Sequence, residues 1–320
     1  MDRAKFDQLV RQIASESDEN AKGVGIDAVA ISSPSGHYEH AFTRCGGELH
    51  ELRSLSKLVV SLCIGVTIAS KRFVVDDGLL DLDTHIWSAF KDKISLDSLR
   101  NVERLGMVTV KDLLTQRVGF SSSEVMSSSW RERRNSDDLL GIILNEPIEV
   151  EPGREFVYSN ASAFLLSAFF QEVTGESLYE AAQRILFAPL GIKEHAWTSF
   201  GAYSAGATGL YLLIADVQKL GRLMLQNGWW QGREIVPEWF VNAMIAEHVH
   251  LVDERWRNHV LAPHGYGFLV WINRDGYYAS GAKGQYLLVE PQKEIVVSVL
   301  SNREILGGLL DSIRAAARSE

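Results

Sequence analysis

Leu52-Arg53-Ser54-Leu55-Ser56-Lys57-Leu58-Val59-Val60 sets a serine at the head of an apolar run, with a lysine three positions later. The run continues through Ser61-Leu62-Cys63-Ile64-Gly65-Val66-Thr67-Ile68 and predicts a buried helix. Residues three apart share one helix face, with Cβ atoms roughly 5–6 Å apart. Ser54 and Lys57 are thus placed to serve as nucleophile and proton acceptor on one rigid element. A serine hydroxyl attacks only when a neighbouring base takes its proton, and a desolvated lysine can be that base. The helix start adds unpaired backbone N–H groups for a developing negative charge.

The spacing recurs at Ser88/Lys91 and Ser280/Lys283, and alone it says little. Lys91 lies in the polar stretch Lys91-Asp92-Lys93, and Ser280 precedes a glycine in a predicted strand. Both read as solvated serines near surface lysines. Only Lys57 leads into an apolar run that would draw the pair toward a core.

The surrounding chain has 320 residues, enough to bury a large core in one intimately joined unit of two lobes. A net charge of −9 argues against a nucleic-acid partner, because phosphate binding needs a basic surface. The apolar stretch after Lys57 is too short to span a bilayer, and the N-terminus lacks the apolar core of a signal peptide. Two cysteines, Cys45 and Cys63, imply no disulfide framework, and Cys63 reads as a small core residue. A cytoplasmic location is the default expectation, with no membrane partner. No pattern dictates an oligomeric state.

Phe6, Leu9, Val10 and Ile13 fall at helical spacing, so an amphipathic helix opens the chain. Strands are predicted at Ile26–Ile31 and His37–Arg44, around the turn Ser33-Pro34-Ser35-Gly36. From Ser54 to about Phe200 the pattern is mainly helical, with helices at Ala161–Val173 and Leu178–Phe187. Further helices are predicted at Leu210–Gln226 and Pro237–Ala246. The last quarter turns to strands at Tyr266–Ile272, Tyr277–Ser280, Gln285–Glu290 and Glu294–Ser301. Their short connections suit antiparallel neighbours. A final helix carries Ile305, Leu306, Leu309, Leu310 and Ile313 on one face. The chain is thus of mixed α/β class, α+β in type. One antiparallel sheet (about 1–53 and 201–320) is built from both termini, and a helical lobe (about 54–200) is inserted in it.

A serine–lysine pair needs a second proton carrier for the leaving group and donors for the oxyanion. Tyr158-Ser159-Asn160 offers the first, since Tyr158 falls between the turn Glu151-Pro152-Gly153 and an apolar helix. The plainer reading is a core tyrosine bonded to backbone. Ala279-Ser280-Gly281-Ala282-Lys283-Gly284-Gln285 offers the second, because its glycines let a backbone approach a substrate closely. Here the plainer reading is a glycine-bearing hairpin.

Ser54-x-x-Lys57, Tyr158-x-Asn160 and the small-residue strand at Ser280-Gly281, in that order, resemble the serine β-lactamase and penicillin-binding protein superfamily. The tyrosine version is similar to its class C β-lactamase-like branch, which includes esterases, D-aminopeptidases and 6-aminohexanoate-dimer hydrolases. Val110 to Gln116, Pro152-Gly153, Thr174-Gly175, Phe187 to Gly191, Gly209-Leu210-Tyr211 and Tyr266-Gly267-Phe268 extend the likeness from about Ile26 to Asn302.

The resemblance implies a β-lactamase/transpeptidase-like fold and no cofactor. Ser54 would be acylated, and Lys57 and Tyr158 would move its proton. Asn160 would hold Lys57 or the substrate, with Ser280 and Gly281 along the substrate. The N–H groups of Ser54 and Ala282 would bind the oxyanion. One departure is Ala279, which stands where the family carries a lysine that binds the carboxylate of β-lactams and cell-wall peptides. The expected substrate is therefore a small-molecule ester or amide. A lactam or D-amino-acid peptide is the alternative, and a non-turnover sensing protein a third.

His248-Val249-His250, with Asp253, His259 and His264, raises a metal site as a lesser reading. Glu247 to His264 reads better as a loop over the mouth. It shares the expected control of specificity with Ser121 to Asn135.

Overall fold

The computed structural model describes residues 1–19, 25–93, 102–121, 138–257, 259–303 and 307–319. Its elements follow hydrophobic period. Helix α1 (Arg3–Glu19) is followed by the hairpin β1 (Ile26–Ser33) and β2 (Gly36–Ala41). A 3-10 turn at Arg53–Leu55 then leads into helix α2 (Ser56–Ala69). Short α3 (Val110–Leu114) starts with a reciprocal capping box between Thr109 and Asp112. Helix α4 (Asn160–Thr174) is capped by the Ser159 side chain and stops at Gly175, whose φ of +73° closes the last turn. After α5 (Ile214–Leu225) come β3 (Val249–His250), β4 (Gly265–Tyr266), β5 (Trp271–Asn273), β6 (Gly276–Gly281), β7 (Gln285–Glu290) and β8 (Ile295–Ser301). Helix α6 (Gly307–Arg318) ends the described chain.

Those strands make one eight-stranded antiparallel sheet in the order β3-β4-β5-β6-β7-β8-β1-β2. Both termini therefore build it, as the pattern predicts. Strand side chains alternate between two cores. Val29 and Ile31 face Val299 and Val297 across the β1–β8 ladder and pack with Phe6, Leu9 and Ile13 of α1 and Leu309, Leu310 and Ile313 of α6. Ala28, Ala30, Leu287, Val289, Val296 and Leu300 point the other way, into the core shared with α2, α4 and α5. Leu58 to Ile64 of α2 are buried all round, as a central helix must be.

Three expectations need correction. Leu210–Leu212 is a strand, paired with His195–Trp197 and His50–Glu51, and the helix begins only at Ile214. Tertiary pairing overrides the helical spacing there. Tyr266–Ile272 is two strands, because Gly267 turns back on Val270 and the Leu269 N–H is drawn to the Leu114 carbonyl at 2.9 Å. The strand after Gly36 ends at Ala41, and Arg44–Gly47 is a 3-10 turn. Ile305 and Leu306 lie outside the described residues, as does the loop beyond Ser121 as far as Asn135.

Candidate active site

Ser54 sits in the 3-10 turn ahead of α2, not on the helix itself, and is half-buried. Two constraints shape that turn. Arg53 has φ +52°, a left-handed conformation disfavoured for any residue with a Cβ. The Leu52 N–H donates to the Leu210 carbonyl at 2.8 Å, and Ser56 Oγ donates back to the Arg53 carbonyl at 2.6 Å. Strand β6 then presses on the turn. A Cβ on Gly281 would collide with the Leu52 carbonyl and stand 3.1 Å from the Ser54 nitrogen. Only glycine permits that approach.

Lys57, in the first turn of α2, is 1% exposed. Its Nζ donates to Asn160 Oδ1 at 2.7 Å, to the Tyr158 hydroxyl at 3.2 Å and to the Ala207 carbonyl at 3.5 Å. The same nitrogen lies 4.8 Å from the Tyr158 ring centre. Burial pushes its pKa below that of an ordinary lysine, and its interactions with the Tyr158 hydroxyl oppose the shift without reversing it. Three separate stretches of sequence thus meet at one nitrogen.

Tyr158 is held by an aromatic wall whose assembly no motif announces. Its ring stacks on Trp271 at 5.3 Å and meets Tyr266 edge-on at 6.3 Å, with Phe156 beside them. Trp256 packs on Phe156 and Trp271, so the Glu247–His264 segment reaches this wall. Such residues become neighbours only when the sheet folds, and the Ala207 carbonyl carries no side-chain signal at all.

Ser280 is half-buried, opposite Tyr286, and Ala282 is exposed just past the strand. Ala279 is buried on the Gly281 face of β6 and so offers no cation there. Beside Arg53 lies a cleft of about 200 Å³, lined by Glu51, Tyr211, Gln285 and Asn302. A buried cluster underlies it, where Asp27 accepts from Thr43 at 2.6 Å and Asn302 at 2.9 Å, and His50 Nε2 lies 3.2 Å away.

The lysines of the other two Ser-x-x-Lys pairs are exposed. Ser88 and Lys91 both contact the Asp76 carboxylate, and Lys283 is exposed in the β6–β7 turn. His248 stacks on Phe268 at 4.2 Å, while His250 and His264 flank Glu247 at 2.7 and 3.2 Å. Among the described residues no three His, Cys, Asp or Glu side chains converge as metal ligands.

The Beta-lactamase family model matches residues 34–318. The chain belongs to the β-lactamase family. Within that family it is 26% identical over 188 residues to the 6-aminohexanoate-dimer hydrolase of Paenarthrobacter ureafaciens, covering 55% of this chain and 47% of that protein. The chain therefore matches about half the length of that relative. The octameric penicillin-binding protein homologue of Pyrococcus abyssi superposes with a TM-score of 0.74 at 18% identity, over 99% of this chain and 77% of that one. EstCE1, a hydrolase with promiscuous acyltransferase activity, does so at 0.74 and 17%, over 99% of each chain. At those identities the superpositions speak for the β-lactamase-like fold alone. No helix among the described residues is long and apolar enough to cross a membrane.

Proposed function

We propose that the protein is a serine hydrolase that cleaves an ester or amide of a small molecule through an acyl-enzyme on Ser54. The observation that carries this reading is the buried Lys57 nitrogen, held by Tyr158 and Asn160 in the helical turn after Ser54. A buried amine with a lowered pKa is a base, and a surface lysine is not. Ser54 Oγ attacks the substrate carbonyl carbon while its proton passes to the Lys57–Tyr158 pair. Either member can be the deprotonated partner of such a coupled pair.

Negative charge on the carbonyl oxygen is met by the N–H groups of Ser54 and Ala282, which the approach of Gly281 brings together. The pair then returns the proton to the departing alkoxide or amine as the C–O or C–N bond breaks. Water repeats the sequence on the acyl-enzyme and releases the acid. Asn160 fixes Lys57, and Ser280 and Gly281 line the acyl chain.

Ala279 favours esters and amides over β-lactams or D-amino-acid peptides, which would lose a cationic anchor. The glycine-edged β6 keeps a strand-like lactam or peptide as the second reading, separable by nitrocefin turnover. A fluorophosphonate probe followed by intact-mass measurement tests the proposal. One adduct is expected on the native protein and none on Ser54→Ala. An adduct that survives that substitution rules Ser54 out, and steady turnover of any acyl substrate rules out a sensing protein that acylates once.

A further inference from the structure

Gln116 is wholly buried two residues beyond α3, with φ +59°. Glycine or asparagine takes that conformation more readily, so a glutamine there supplies something they lack. Its main-chain carbonyl accepts from the Val157 N–H at 3.0 Å, and its side-chain Oε1 accepts from the Ser159 N–H at 2.8 Å. Tyr158 lies between those two donors. One residue therefore grips the chain on both sides of the candidate proton carrier.

The grip has consequences on either side. Ser159 caps α4, and Asn160, the next residue, takes the Lys57 nitrogen. Gln116 Nε2 is buried without a well-formed hydrogen bond, yet the amide holds down part of the burial-driven rise in the Tyr266 pKa. Tyr266 is the ring that meets Tyr158 edge-on. The Tyr158 hydroxyl stands 3.2 Å from Lys57, at the long end of an N–H···O contact, so a small displacement of this corner breaks it.

We propose that Gln116 is a positioning residue for Tyr158, holding its hydroxyl between Lys57 and the departing group. The inference rests on the reading of Tyr158 as proton carrier, and a purely structural clamp would predict different kinetics. A leaving group that departs as a stable anion needs little protonation, whereas an alkoxide needs a great deal. Loss of Tyr158 positioning should therefore harm poor leaving groups most.

The test is the acylation rate along a series of acetate esters, from p-nitrophenyl to alkyl, for native protein, Tyr158→Phe, Gln116→Met and Gln116→Gly. Gln116→Met keeps the bulk and removes the acceptor. Gln116→Gly keeps the main-chain carbonyl and relieves the left-handed conformation, so it carries the test where Gln116→Met does not fold. For both, a few-fold loss is expected with p-nitrophenyl acetate and roughly 10–10² with alkyl esters, since a misplacement near 1 Å costs up to about 10². Rates that fall equally along the series, or not at all, while Tyr158→Phe steepens the dependence, overturn the inference and leave the reading of Tyr158 intact. A Tyr158→Phe series parallel to the native one removes both.

Discussion

Lys57 is where burial and chemistry meet. Its ordinary pKa would be about 10.4, and burial lowers it in the folded protein. The neutral amine therefore grows in as pH rises through that lowered value. Acylation should climb with pH through the same range, and Lys57→Arg, always charged, should flatten that limb. Stability carries the complementary sign. The unfolded chain holds the proton over a range where the folded one has released it, so stability increases with pH across that range. The penalty grows as pH falls from about 10.4 to the lowered value and then levels off. Lys57→Met should therefore unfold at higher denaturant than the native protein at neutral pH. The gap should close as pH approaches the ordinary lysine value, and a gap constant with pH would mean that Lys57 is not neutralised by folding.

Gly281 shows how an element is committed to a neighbour. Strand β6 lies against the Arg53–Leu55 turn so tightly that a side chain on Gly281 would meet backbone atoms. Gly281→Val should push strand and turn apart and reduce acylation about 10²-fold, the cost of an ångström-scale misplacement. Its melting temperature should move far less than its rate. Loss of fold in step with activity would make the contact structural instead.

Glycine spacing made this strand readable beforehand. So did the serine–lysine and tyrosine–asparagine spacings, since chemistry limits which residue types can serve there. Short elements were misread where distant backbone groups decide them. Leu210–Leu212 looks helical until the strand at His50–Glu51 is beside it, and the Tyr266–Ile272 run looks continuous until the Leu114 carbonyl claims Leu269. The aromatic wall behind Tyr158, and Gln116, were illegible for the same reason. Their partners lie tens to hundreds of residues away.

Across the whole molecule, the last helix is fastened to the sheet by charge as well as by Leu309, Leu310 and Ile313. Glu290, at 5% exposure, accepts from Arg314 at 3.2 Å and from Arg318 at 2.6 and 2.7 Å. Asp275 also reaches both guanidiniums, at 2.6 and 2.7 Å, and Asp311 lies 3.6 Å from Arg314. Removing Glu290 would leave two partly buried cations with only Asp275 and the exposed Asp311. Glu290→Ala should lower stability by about 1–3 kcal/mol, the cost of losing charged hydrogen bonds while Asp275 still compensates both cations, read by urea unfolding. A loss within a few tenths of a kcal/mol would mark the network as surface decoration.

The sheet order has a further consequence, in the time dimension. Strand β1 lies between β2 and β8, and Asp27 bonds to Asn302, 275 residues further along. A ribosome adding about 5–20 residues per second needs on the order of tens of seconds to bridge that span. For most of it, one edge of β1 has no partner, and the turn at Ser54 lacks the strand that presses on it until Gly281 is made. Ser54 and Lys57 are therefore made more than 200 residues before Gly281, whose strand closes on their turn.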